Sequence, residues 1–336
     1  MMKVVMVMAL GILCVGAKNH NEEAHRALCD LLQAAVGKWG SSGEGLSEPM
    51  KAALGITIFG NEKGGVLGEL ESLPGVYKNV EGTQDSRGNW CGQPQEDGHN
   101  GINQGRSSGH SAPHGLLCLC TVGEKGWPVN ESETVEERLC GHTKQTLGAS
   151  DNEGWVGSKS VQGEKHVSET WKEVVIPCLK GERGKELKPA LHSFLGKLEN
   201  KSGDWYSSRY QLGEGEPSNE RSCTGTQKHG VCVMYYNFTG GSYPMPWWTE
   251  LENAIQEDEK LQKQREEEER RKHKEEANKK EDPRAEASKS GHPTTNQTDQ
   301  QNTGTNFTNT LRKFNLTSGT PISMPSSWLL SVAILI

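Results

Sequence analysis

The sequence predicts a mainly α-helical protein: an elongated, disulfide-stapled helical bundle with long loops, followed by a charged helix and a disordered stalk. Three observations predict it. Apolar residues recur at helical spacing in three separate stretches, residues 21–39, 168–178 and 185–199. The nine cysteines all lie before residue 233. Beyond Leu261 the chain turns almost wholly to Glu, Lys, Arg and Gln.

The first stretch carries the clearest stripe: Ala24, Ala27, Leu28, Leu31, Leu32, Ala35, Val36 and Trp39. Glu22 and Glu23 sit in its first turn, where the helix dipole favours carboxylates. Cys29 lies beside the stripe, within reach of a partner element. Gly40 to Gly45 is a break. Ser47-Glu48-Pro49 then starts a short helix, with serine as cap and proline in the first turn, running to about Phe59.

Residues 60–168 are rich in Gly, Asn, Ser and His and show few periodic segments, yet they hold Cys91, Cys118, Cys120 and Cys140. So long a loop region is uncommon in a compact domain unless it is functional or stapled. It reads as long surface excursions held by disulfides. Helix resumes at Ser168, with Trp171, Val174, Val175 and Cys178 inward, and ends across Pro177 to Gly181. The next stripe is Leu187, Leu191, Phe194, Leu195 and Leu198. Residues 203–222 read as loop, and Val231 to Tyr236 is the one strand-like run.

Trp247, Trp248, Leu251 and Ile255 dock the start of the last helix. Its charged part places Glu259/Lys263, Glu266/Arg270, Glu267/Arg271 and Glu268/Lys272 at i,i+4 in the favourable order. No apolar heptad continues, which confines coiled-coil pairing to the first two turns. A helix of ~35 residues at 1.5 Å each spans ~50 Å. Pro283 ends it, and residues 283–320 are polar enough to predict disorder.

The two ends carry addresses. Met1-Met2-Lys3 is a short basic region, Val4 to Val15 is apolar, and Val15-Gly16-Ala17 supplies small residues for a cleavage site. At the other end, Ser318-Gly319-Thr320 and an uncharged spacer precede the apolar run Trp328 to Ile336. That order is the signal for glycosylphosphatidylinositol (GPI) attachment. The apolar run is about half of the ~20 residues a membrane-spanning helix needs. Ser318 is the first choice for the attachment residue, with Gly319 and Asn315 behind it. The expected organisation is a signal peptide (1–17), a cysteine-containing helical domain (18–246), a charged helical spacer (247–282), a disordered stalk (283–318) and a removed attachment signal (319–336).

Composition narrows the function. With 40 glycines and 32% hydrophobic residues in 336, the chain is not one dense core, and its net charge of −7 offers no electrostatic case for nucleic acid. Once Cys14 leaves with the signal peptide, Cys29, Cys91, Cys118, Cys120, Cys140, Cys178, Cys223 and Cys232 remain. An even count in an oxidising compartment means disulfides. Eight cysteines allow 105 pairings, so the connectivity stays open; Cys223 and Cys232 bracket a turn and are candidates to pair. Asn130, Asn200, Asn237, Asn296, Asn306 and Asn315 head N-glycosylation sequons, of which Asn315 abuts the attachment site and is the weakest.

His110, His114, Cys118 and Cys120 have zinc-like spacing, but secretion favours half-cystines over thiolate ligands. Gly60 to Gly68 lacks the order of a phosphate-binding loop. The chain contains no G-x-S-x-G and no H-E-x-x-H, so no catalytic, cofactor or metal residue is assigned.

Several segments together go further. Ala27-Leu28-Cys29-Asp30-Leu31-Leu32, Gly92-Gln93-Pro94, Pro113-His114-Gly115-Leu116-Leu117-Cys118-Leu119-Cys120, Gly126-Trp127-Pro128, Cys223-Thr224-Gly225-Thr226, Gly230 to Tyr236, Trp247-Trp248-Thr249-Glu250-Leu251 and Leu316 to Pro325 resemble the variant surface glycoproteins of African trypanosomes. The likeness is to congolense-type members with a b-type N-terminal domain, and it covers essentially the whole chain. It implies a GPI-anchored coat protein on the outer face of the plasma membrane. Such proteins are largely helical and oligomeric, with exposed loops that host antibodies meet and that vary between expressed variants. The chain departs from the brucei-type pattern in lacking a cysteine-rich C-terminal domain. On this reading the long helices run along the membrane normal and residues 60–165 supply much of the outer surface. A GPI-anchored receptor or adhesin of the same architecture is the alternative.

Overall fold

A computed structural model describes residues 18–80, 86–94, 106–130, 136–149, 153–156, 163–181, 185–203, 206–218, 221–238 and 244–280. They are mainly helical. The predicted stalk and attachment signal, with Asn296, Asn306, Asn315, Ser318 and Gly319, lie outside the described residues, as does the signal peptide.

Helix α1 (Glu22–Trp39) is the hub. Its stripe is buried from Ala27 to Trp39, and it packs against α2 (Glu48–Phe59), α4 (Ala112–Cys120), α6 (Ile176–Leu179) and α7 (Leu187–Leu195). Asn21 starts it in the left-handed region, at φ 58°, which asparagine tolerates better than most residues. Its amide donates to the carbonyls of Leu119 (2.9 Å) and Val231 (2.7 Å), and its Oδ1 accepts from the Glu214 N–H (2.9 Å). One buried side chain thus joins the start of α1 to α4 and to the sheet.

Helix α2 begins as expected with proline in its first turn, but Ser47 makes no cap bond. Its hydroxyl donates instead to Asp258 at 3.2 Å. A third, short helix, α3 (Arg87–Gly92), has the serine cap that α2 lacks, through Ser86.

The stretch read as surface excursions is corrected by the structure. All nine residues of α4 are buried, and Tyr77, Trp90, Leu139, Leu147 and Trp155 join the same core. A helix buried on every side shows no apolar stripe against a polar face, so periodicity does not reveal it.

Helix also begins earlier than expected, at α5 (Gly163–Thr170), and passes through a π-helical turn, Trp171–Val175, into α6. The Ile176 N–H reaches back to the Trp171 carbonyl. Pro177 explains the widening: it has no N–H to give, and its ring would strike the carbonyl four residues back in a regular helix.

The described residues form two small sheets. In one, β1 (Asn19–His20) runs parallel to β2 (Arg138–Leu139), which turns through Cys140-Gly141 into β3 (His142–Thr143). Both turn residues have positive φ, 54° and 86°, as a two-residue hairpin with right-twisting strands requires. In the other, β5 (Arg209–Glu214) lies between β4 (Glu199–Asn200) and β6 (Val231–Tyr236), all antiparallel. The residues of β5 were expected to be loop. Its Arg209 and Gln211 are buried, with Arg209 donating to the carbonyls of Lys201 and Ser218, and Gln211 to those of Gly213 and Gly215. Buried polar residues break the alternation by which strands are read.

Helix α8 spans Trp247–Lys280. Trp247, Trp248, Leu251, Ala254 and Ile255 are buried, and every residue from Lys260 to Ala277 is exposed. Of the anticipated i,i+4 pairs, Glu268 and Lys272 close to 3.0 Å, while Glu259 turns to Lys188 of α7 at 2.6 Å. The residues up to Ala277 form one compact unit; of the second unit, Asn278–Ile336, only helical backbone at its start is described. Among the described residues no helix is long and apolar enough to cross a membrane.

Candidate functional site

The zinc-like motif folds into α4 and the turn before it. Ser111 caps the helix by accepting from the His114 N–H. His114 is fully buried, with Nε2 2.9 Å from the Trp90 carbonyl and Nδ1 2.8 Å from the Tyr77 hydroxyl. A carbonyl only accepts, so Nε2 carries the proton and Nδ1 accepts from tyrosine. Burial pushes this imidazole down to about 3, against the opposing pull of the Trp90 carbonyl. His110 is held well below its ordinary value, by burial first and then by the Arg106 guanidinium. Arg106 lies beside the His110 ring and over the ring of Tyr77, 4.9 Å from its centroid.

The sulfurs are spent. Cys91 pairs with Cys118 (Cα–Cα 5.5 Å) and Cys120 with Cys140 (5.7 Å), so neither cysteine of the motif offers a thiolate. Cys29 pairs with Cys178 (5.1 Å), tying α1 to α6, and Cys223 with Cys232 (4.8 Å) at the start of β6. The two places among the described residues where three metal-capable groups converge, His25/Cys29/Cys178 and Cys91/His114/Cys118, are each a disulfide with a histidine beside it.

Three sequon asparagines are described, and they differ. Asn130 is half-buried, and its Nδ2 donates to the carbonyls of Lys125 (3.3 Å) and Ala149 (3.1 Å). Asn200, at the end of β4, is exposed; its Oδ1 accepts from the Ser202 N–H at 2.8 Å. Asn237 follows β6 directly and is tied by its backbone N–H to the Ser208 carbonyl at 3.0 Å.

Arg87 is a functional-looking residue that sequence reading missed. It is fully buried and donates to the carbonyls of Cys118 (2.6 Å), Trp155 (3.1 Å) and Val122 (3.2 Å), with its guanidinium 5.3 Å from the Trp155 ring centroid. Burial pushes it down to about 9. All three partners are backbone carbonyls of the surrounding segments, so its role is to brace them. The one local signal was Ser86, the cap that marks the helix on which Arg87 stands.

The surface carries a cavity of about 340 Å³ between the end of α2, the turn at Ser107–His110 and the start of α8, with Tyr236 in its wall and Glu62 and Glu250 among its lining residues. The exposed face of α8 from Lys260 onward is charged throughout, save for Leu261, Ala277 and a few uncharged polar residues.

Compared with known proteins, the chain matches the family model described as Trypanosomal VSG domain over residues 37–277. No curated protein matches it.

Proposed function

The chain belongs to the trypanosomal VSG domain family, and from that premise we propose that it is a GPI-anchored variant surface coat glycoprotein, standing on the outer face of the plasma membrane and evading host antibodies by antigenic variation. The observation that carries this reading is the family match, which runs over nearly the whole helical body.

The mechanism is steric. Four disulfides staple the body, and α8, 34 residues in all, continues from its buried start as a solvated charged helix from Lys260 to Ala277. At 1.5 Å per residue that exposed part spans about 27 Å. The signal peptide (1–17) directs secretion and Ser318 receives the glycolipid, so the partners are the membrane through that lipid, further copies of the chain, and host antibodies. The function asks for no catalytic residue or cofactor.

Phospholipase C treatment of intact surface-labelled cells tests this. A coat protein leaves the cells and dominates the released label. Retention after treatment, with an apolar tail still present by mass, would overturn the anchor. Release as a trace component would favour the alternative of a receptor or adhesin, for which the 340 Å³ cavity is one concave feature among several.

A further inference from the structure

The three described sequons differ in what the fold does with the one atom a glycan takes. N-glycosylation joins sugar C1 to the asparagine Nδ2. The C1–O bond to a lipid diphosphate breaks, the lipid diphosphate departs, and the amide gives up one of its two protons. A modified asparagine therefore keeps a single N–H.

Asn130 has none to spare. Both of its Nδ2 protons are engaged, by the carbonyls of Lys125 and Ala149. Space is closed as well: a Cβ placed on Gly126 would fall 2.2 Å from this nitrogen, so the amide lies against the Gly126 backbone. Gly126 has φ +76° and follows Lys125 at φ 55°, a turn whose shape the Asn130 amide helps to hold. The same amide reaches across to Ala149, nineteen residues on. Glycosylation here and folding of this turn exclude each other.

Asn200 is the opposite case. Its oxygen is occupied by the Ser202 N–H, which leaves Nδ2 with no hydrogen-bond partner among the described residues, on an exposed side chain. Asn237, half-buried, has only its backbone N–H engaged among the described residues, and its neighbour Phe238 is 40% exposed.

The register brings these two together. Asn200 pairs with Tyr210 and Tyr235 pairs with the same Tyr210, so β4 and β6 flank β5 and both asparagines lie at one end of the sheet. Two strand spacings of 4.7–4.9 Å across the sheet, with two residues of strand rise along it, put them about 12 Å apart. Trp248 packs against Tyr210 and Tyr235, so this end of the sheet adjoins the start of α8.

We infer that Asn200 and Asn237 carry N-linked glycans, set side by side at the end of the β4–β5–β6 sheet next to the start of α8, and that Asn130 stays unmodified because its side-chain nitrogen is a strut of the fold. The inference rests on the secreted surface-coat reading. Its consequence is a pair of sugars screening the junction where the body gives way to the exposed helix.

The test is peptide N-glycosidase digestion of the cell-surface protein in ¹⁸O water, followed by peptide mass spectrometry. The expected result is the heavy-aspartate label at Asn200 and Asn237 and unlabelled Asn130. Label at Asn130 in folded protein, or its absence from both Asn200 and Asn237 while stalk sequons are labelled, overturns the inference and leaves the coat reading intact. A chain bearing no glycan at all, retained inside the cell, overturns both. Asn130→Asp, which keeps the shape and loses both donors, is expected to lower the urea midpoint with no change in glycan mass. Asn200→Asp is expected to lose one glycan's mass with the midpoint of enzymatically deglycosylated protein unmoved. The reverse pattern overturns the assignment.

Discussion

His110 occupies the space that any side chain on Gly60 would need: a Cβ placed on Gly60 falls 1.8 Å from Cε1 of the His110 ring. Gly60 ends α2 with φ +76°, so the position excludes a side chain twice, once by backbone conformation and once by contact. Gly60→Ala is therefore expected to cost roughly 3 kcal/mol, of which about 1 kcal/mol is left-handed strain. Adding His110→Ala should recover the contact part and leave the strain. Urea unfolding of the two single variants and the double variant measures the coupling. Additivity would show that the ring moves aside freely.

The exclusion of side chains at Gly60 was half legible, because a glycine after an apolar stripe marks a helix end; the histidine fifty residues on was not. The same divide runs through the molecule. Helices α1 and α7 could be read because each has one apolar face and one wet face, α2 because Ser47-Glu48-Pro49 marks its start, and α8 because its apolar start gives way to a charged run. Helix α4 could not, being buried all round, although Ser111 and Pro113 at its start were a usable signal. Strand β5 was hidden by Arg209 and Gln211, polar residues satisfied by carbonyls that only the fold brings near. Asn130 read as a sequon like the others, since its distinguishing contact with Ala149 depends on the closed turn.

The start of α8 is held by burial and not by its ion pairs. Trp247 is fully buried, with its ring 5.2 Å from Phe194 and 6.4 Å from Tyr235 between centroids. Lys188 and Glu259 meet at 2.6 Å but both are substantially exposed, and such pairs contribute little. Trp247→Ala should cost about 3–5 kcal/mol. Lys188→Ala should leave the melting temperature within error, and thermal unfolding of the two variants checks the contrast.

Acid should weaken the fold before its carboxylates titrate. Burial, and next the neighbouring His142, push His25 down to about 4, and burial pushes His114 to about 3. Both lie below the ordinary imidazole value, so between about pH 6.5 and pH 4 the unfolded chain binds protons that the folded chain refuses. Stability from these sites is complete above that window and is lost as pH falls through it. Between pH 7.5 and pH 5 each site should account for about 2 kcal/mol. The paired carboxylates Glu214 and Glu173, also held low, add their loss only below about pH 4.5. His110, held well below its ordinary value by burial, adds a loss of the same sign; urea midpoints at pH 7.5 and pH 5 measure the whole drop, and His25→Gln should remove part of it. A midpoint flat across this interval would show that the imidazoles are free to protonate in place.

The four disulfides are unequal, and chain length ranks them. Cys29–Cys178 closes a separation of 149 residues, whereas Cys223–Cys232 closes 9. Cross-linking removes freedom from the unfolded chain in proportion to the logarithm of the loop, which gives about 5 kcal/mol for the first and about 3 kcal/mol for the second. The longer bridge also joins α1, on which the other helices pack, to the segment following the π turn. Cys29→Ala/Cys178→Ala should therefore lower the urea midpoint more than Cys223→Ala/Cys232→Ala does. Because the helices of α1 and α6 also pack directly, the first variant should still fold at low temperature and keep its far-ultraviolet circular dichroism. Equal losses would mean that the unfolded chain already holds α1 and α6 together without the bond.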